Sequence, residues 1–146
     1  MQHLYFQGSL FTADVSTSMK LTYALDIPAG FPSPATDYMD LSLDLNTELV
    51  KNPEATFYAR VKGYSMRDEG VLDGDVLVID RSIAPSNGVM AVCYLDGAFT
   101  LKKIERRGDK TFLMPANPNF KPIEITESNE LIVWGVVTYV IKKIKG

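Results

Sequence analysis

Histidine is close to absent. The one histidine in 146 residues, His3, falls within the first nine positions, where His3-Leu4-Tyr5-Phe6-Gln7-Gly8-Ser9 reads as the cut-site remnant of an expression tag. With residues 1–9 set aside, a Ser-His-Asp triad, a Cys-His pair and a histidine-bearing zinc site are excluded. Cysteine is equally scarce: Cys93 stands alone, which excludes an internal disulfide and a thiolate metal cage and suits a reducing compartment. No apolar run approaches the roughly 18 residues of a membrane span, and no signal peptide is visible, so a cytoplasmic protein with no membrane contact is expected. An excess of positive charge is missing too. Residues 10–54 hold seven acids against two bases, and residues 55–146 hold thirteen bases against eleven acids. Neither stretch has the basic excess of a direct nucleic-acid binder. Lys102, Lys103, Arg106, Arg107 and Lys110 cluster, as do Lys142, Lys143 and Lys145, and these read as solvated strand ends and a charged tail.

What remains is enough for one domain with a real core: about 137 residues, in a chain that is 46% hydrophobic. Residues 10–19 carry no sustained helix or strand pattern, whereas residues 20–25 alternate polar and apolar as a short strand does. Three prolines follow within seven positions, Pro28, Pro32 and Pro34, around Gly30; they hold an extended arm outside the core. A short helix is expected near residue 45, capped by Asp44 or Asn46, with Leu45, Leu49 and Val50 facing inward and Pro53 ending it.

From Phe57 the period changes to two. Phe57, Ala59 and Val61 alternate with Tyr58, Arg60 and Lys62, a half-buried strand ending at Gly63. Residues 65–70 read as one helical turn or a tight loop, Asp73-Gly74 as a turn, and residues 76–79 as a buried strand. Asp96-Gly97, between the apolar runs 89–95 and 98–105, is the strongest hairpin signal in the chain. Residues 111–114 form a short strand, Asn117-Pro118-Asn119 a loop, and residues 131–143 one or two more strands with a bulge at Gly135. The fold class is therefore mostly β: a compact core of twisted antiparallel sheet with one or two short helices behind a flexible N-terminal arm.

A serine nucleophile without histidine needs another base, and lysine serves only when neutral. At an unperturbed pKa of about 10.4, roughly one lysine in 2,500 is neutral at pH 7. Desolvation lowers that pKa, and an apolar strand face supplies desolvation. If Asp96-Gly97 is a two-residue turn, Ala91 pairs with Lys102 and Met90 with Lys103. Lys102 then shares a face with Val89, Ala91, Cys93, Thr100 and Ile104; Lys103 shares the other with Phe99, Leu101 and Met90. These neighbourhoods alone do not separate the two lysines. The short side chains opposite Lys102, which leave room for another segment to reach its amine, favour it modestly. Asp73 and Asp75 read as turn formers, Trp134 and Tyr139 as core or dimer contacts, and Cys93 as a small buried hydrophobe.

Gly63-Tyr64-Ser65-Met66, then Gly70-Val71-Leu72-Asp73-Gly74-Asp75-Val76-Leu77, then Asp96-Gly97-Ala98-Phe99-Thr100-Leu101-Lys102-Lys103 together resemble, in order and separation, the peptidase core of the LexA/UmuD family. Gly30-Phe31-Pro32-Ser33-Pro34-Ala35 and Asp37-Tyr38 resemble its UmuD branch. The resemblance covers residues 29 to the C-terminus. It implies a self-cleaving Ser-Lys peptidase of the SOS DNA-damage response, with Ser65 as nucleophile, Lys102 as general base, and the backbone N–H groups of Tyr64 and Ser65 as oxyanion hole. It implies cleavage of Ala29-Gly30, with residues 10–54 as the arm that carries this bond and residues 55–146 as the peptidase domain. It also implies a homodimer, stimulation by a RecA filament on single-stranded DNA, and a processed form that serves an error-prone translesion polymerase. No metal or other cofactor is expected. Residues 10–56 are too few for a helix-turn-helix domain with a linker, which argues against a LexA-type repressor, and a signal peptidase would need a membrane anchor. The remaining alternative is an interaction subunit that keeps the fold and leaves the pair idle.

Overall fold

The computed structural model describes residues 10–18, 20–23, 29–31 and 41–145. Among these residues there are ten strands: β1 (Leu10–Thr12), β2 (Lys20–Tyr23), β3 (Leu41–Asp44), β4 (Thr56–Arg60), β5 (Val76–Asp80), β6 (Met90–Leu95), β7 (Ala98–Arg107), β8 (Lys110–Met114), β9 (Ile123–Ile125) and β10 (Leu131–Ile141). Eight form one sheet in the order β1-β4-β5-β10-β6-β7-β8-β9, and β2 pairs with β3 separately. All the pairings are antiparallel.

The hairpin forms as its turn chemistry dictates. Asp96 and Gly97 both have positive φ, 47° and 90°, the I′ geometry whose twist matches the flanking strands. The register follows: Leu95 opposite Ala98, Cys93 opposite Thr100, Ala91 opposite Lys102 and Met90 opposite Lys103. Because alternate residues point to opposite faces, β6 and β7 feed two separate cores. Val92, Phe99 and Leu101 join Ala59, Met66, Val71, Leu77, Ile79 and Trp134. Ala91, Cys93 and Ile104 pack with Leu113. Trp134 anchors the first core, edge-on to Phe57 and Phe99, while Tyr139 is exposed.

Gly135 marks the expected bulge, since the pairing of β10 with β6 shifts between Val133 and Gly135. A Cβ there would lie 2.5 Å from Ile79 Cγ2, so only glycine allows β10 to cross this close to β5. The short helix α1 (Leu45–Leu49) is capped by Asp44, whose carboxylate accepts from the Asn46 and Thr47 N–H groups. Val50 is buried after it; Leu45 and Leu49 are half-buried.

Besides β3, which the sequence reading leaves unassigned, two strands depart from it. Leu10–Thr12 lies in the patternless stretch, yet it pairs with β4, with Leu10 opposite Ala59 and Thr12 opposite Phe57. The strand β9 also goes unannounced, and it extends the sheet beyond β8. Each is three residues long, held by backbone pairing that needs no side-chain alternation to form. The strand β4 ends at Arg60, earlier than Gly63. The proline-rich stretch 27–34 lies outside the described residues except for 29–31.

Candidate active site

Ser65 stands on the loop that leaves β4, and two other segments fix that loop. On one side Val61 N donates to Asp75 O at 2.8 Å, Gly74 N donates to Val61 O at 2.8 Å, and Gly63 N donates to the Asp73 carboxylate at 2.7 Å. Gly63 itself needs a φ of 95°, which a side chain would strain. On the other side Ala116 N donates to Ser65 O at 2.8 Å, and Asp68 N donates to Ala116 O at 2.7 Å. Past the serine, the chain makes a 3-10 turn (Arg67–Glu69) closed by Gly70 in the left-handed region. Met66, 2% exposed, plugs the loop into the core.

Lys102 comes to this serine from β7. Its Nζ lies 3.1 Å from Ser65 Oγ, 2.8 Å from Thr100 Oγ1 and 3.0 Å from the Leu101 carbonyl oxygen. The residue is 7% exposed. None of its three partners is an acid, and no carboxylate among the described residues pairs with it. An ammonium would donate to all three oxygens. A neutral amine would donate to two and present its lone pair to the third. Burial holds the Lys102 pKa below the ordinary lysine value, the neighbouring Cys93 being the smaller, opposing influence. Cys93, fully buried, has its own pKa pushed up to about 11 by burial, so it is a neutral thiol near pH 7. A hydroxyl that meets a buried amine of lowered pKa, with no acid to hold the proton on that amine, is the geometry of a nucleophile beside its base.

A cleft of about 360 Å³ opens beside the pair. Val61, Met66, Leu77, Phe99, Leu101 and Phe120 give it an apolar lining. Tyr64 and Ser65 also line it, and among the described residues no group accepts a hydrogen bond from either of their backbone N–H groups. Free N–H donors beside a hydroxyl can receive a developing oxyanion. Ala29 and Gly30 are exposed, in a bend, and do not line the cleft.

Asp73 and Asp75 are engaged in the loop itself. Asp73 caps the Gly63 N–H, and Asp75 accepts from the Leu72 N–H at 2.8 Å and pairs with Lys142. Sequence reasoning passed over two participants. Thr100 was placed on the Lys102 face without a role, although its i, i+2 spacing on a strand was the available signal. Asn117-Pro118-Asn119 reads in sequence only as a bare loop.

A twisted antiparallel sheet with a serine and a buried lysine in contact at its cleft defines the peptidase-fold class that manages without histidine. Residues 21–138 match the Peptidase S24-like family. Protein MucA of Salmonella typhimurium is 43% identical over 118 residues, 80% of each chain. Protein ImpA of Shigella flexneri is 41% identical over 117 residues, 79% of this chain and 78% of that one. A LexA repressor of Ectopseudomonas mendocina is 35% identical over 118 residues, 80% of this chain and 57% of the repressor. The chain belongs to the Peptidase S24-like family and is a UmuD-like member of it.

Proposed function

We propose that this protein is a self-cleaving serine peptidase that cuts its own Ala29-Gly30 bond. The observation that carries the reading is the 3.1 Å contact between Ser65 Oγ and a buried Lys102 Nζ that has no acidic partner. Neutral Lys102 takes the hydroxyl proton as Ser65 Oγ attacks the Ala29 carbonyl carbon. The N–H groups of Tyr64 and Ser65 receive the oxyanion. The carbon–nitrogen bond then breaks, and Lys102 returns its proton to the departing Gly30 amine. Water, activated in turn by Lys102, hydrolyses the acyl ester. A small acyl-side residue and a following glycine suit this approach, because neither side chain obstructs the backbone.

The family resemblance extends the proposal to biology. The protein acts in the cytoplasm as a homodimer in the SOS response, its cleavage stimulated by a RecA filament on single-stranded DNA. The fragment beginning at Gly30 serves as accessory subunit of an error-prone translesion polymerase. Similarity to Protein MucA and Protein ImpA supports this placement, as does the absence, among the described residues, of any helix long and apolar enough to cross a membrane.

Alkaline incubation of the purified protein tests the chemistry. Burial lowers the folded-state pKa of Lys102, so its neutral fraction grows with pH and reaches one half below the ordinary value of 10.5. Cleavage should be first-order, rise through that pH and yield a fragment starting at Gly30. Ser65→Ala and Lys102→Ala should each abolish it; a Ser65→Ala protein that cuts at the parent's rate overturns the assignment.

A further inference from the structure

The peptide unit between Tyr64 and Ser65 carries both the Tyr64 carbonyl and the Ser65 N–H. In a trans peptide these two groups point in opposite directions and turn together. Whatever grips the carbonyl therefore aims the N–H. Asn117 supplies that grip: its Nδ2 donates to Tyr64 O at 2.8 Å. The side chain is 7% exposed and engaged at both ends, since Oδ1 accepts from Asn119 N at 3.0 Å. The Asn117 carbonyl accepts from Phe120 N at 3.0 Å, closing the turn that holds the residue in place. One residue earlier, Ala116 N donates to Ser65 O at 2.8 Å and so fixes the next peptide unit as well.

This clamp has the same origin as the lysine. The segment leaves β8 at Met114, which pairs with Lys103 on β7, the strand that carries Lys102. One hairpin thus presents a base to the serine hydroxyl from one strand and a carbonyl clamp to the serine's peptide from just beyond the other.

We infer that Asn117 is a positioning residue for the oxyanion donor: by holding the Tyr64 carbonyl it orients the Ser65 N–H into the cleft. The inference rests on the peptidase reading above for its catalytic consequence, but not for the orientation itself. Asn117→Asp is the sharpest variant, because it keeps the acceptor for Asn119 and puts an acceptor in place of the donor that faces Tyr64 O. Asn117→Ala removes the side chain without adding charge.

Two measurements on the full chain test it. In the self-cleavage assay both variants should lose rate at every pH, on the order of 100-fold, the scale of a lost oxyanion donor. The midpoint of the pH profile should stay where it is in Asn117→Ala, since Asn117 does not touch Lys102 and this variant adds no charge; in Asn117→Asp the added carboxylate should move it upward. In amide NMR of 15N-labelled protein the Ser65 resonance should move, while resonances across the β6–β7 hairpin stay put. In Asn117→Ala a rate loss with a shifted midpoint, or in either variant one accompanied by changes throughout the sheet, would show a merely structural role and overturn the proposal. An unmoved Ser65 amide overturns it whether or not the parent cleaves. A parent that yields no fragment while the amide moves removes the peptidase reading and leaves the clamp standing.

Discussion

Lys102 and Lys103 are neighbours on one strand, yet they live in opposite settings. Lys103 is half-exposed and forms an ion pair with Glu69 at 2.7 Å. Lys102 is buried, touches only uncharged oxygens, and has its pKa lowered by desolvation. Both reach the segment that carries Ser65, one at the serine itself and the other four residues on. The difference is one of partner and dielectric: Lys103 meets an acid near the surface, whereas Lys102 meets hydroxyls and a carbonyl in a buried setting that disfavours its charge. A single residue step along β7 separates a structural cation from a candidate base.

The largest effect expected from this contrast comes from exchanging each lysine for arginine. Guanidinium stays charged at any pH a protein survives, so it can pair with Glu69 but cannot accept a proton. Lys102→Arg should therefore lose self-cleavage by about 10³-fold or more, the range of a removed general base. Lys103→Arg should cut at the parent's rate. The time course of fragment release at alkaline pH measures both, and equal losses in the two variants would erase the distinction.

Much of this contrast was within reach of the sequence, because a two-residue Asp-Gly turn fixes register by count alone. Once Asp96 and Gly97 form that turn, Lys102 must pair with Ala91 and Lys103 with Met90, as observed. The environments of the two amines were not within reach. Both faces of the hairpin are apolar in sequence, and what separates them arrives from elsewhere: Glu69 at the end of the 3-10 turn, and Ser65 with its loop held by residues 116 and 117. Such contacts depend on where distant segments land, which local periodicity does not encode. The three-residue strands β1 and β9 escaped for a related reason, being too short to show a period.

A middle-sized effect should follow from Thr100→Val, which removes the 2.8 Å acceptor while nearly conserving shape. The hydroxyl accepts from Nζ in either protonation state and favours the ammonium more, so its loss should lower the Lys102 pKa further and move the midpoint of the cleavage profile to lower pH. The amine also loses one of its two anchors besides the serine, and the plateau rate, where the amine is neutral, should fall by up to about tenfold, the upper scale of one neutral hydrogen bond. A midpoint that moves upward would mean that water has entered the site.

The smallest effects concern stability, and here the two lysines should differ in sign. The folded pKa of Lys102 lies below its unfolded value near 10.5. Below the folded pKa the residue is charged in both states, and burying it costs the native state in full. Between the two values the folded chain has shed a proton that the unfolded chain still binds, so native stability rises with pH. Lys102→Met should therefore be more stable than the parent at neutral pH, with the advantage shrinking toward pH 10. Lys103→Met breaks a pair whose members are each about two-fifths exposed, so it should cost no more than about 1 kcal/mol, and less in high salt. Urea melts of both variants across this range measure the two slopes. A Lys102→Met protein less stable than its parent at pH 7 would mean that the native fold gains more from the ammonium's three hydrogen bonds than it loses by burying the charge.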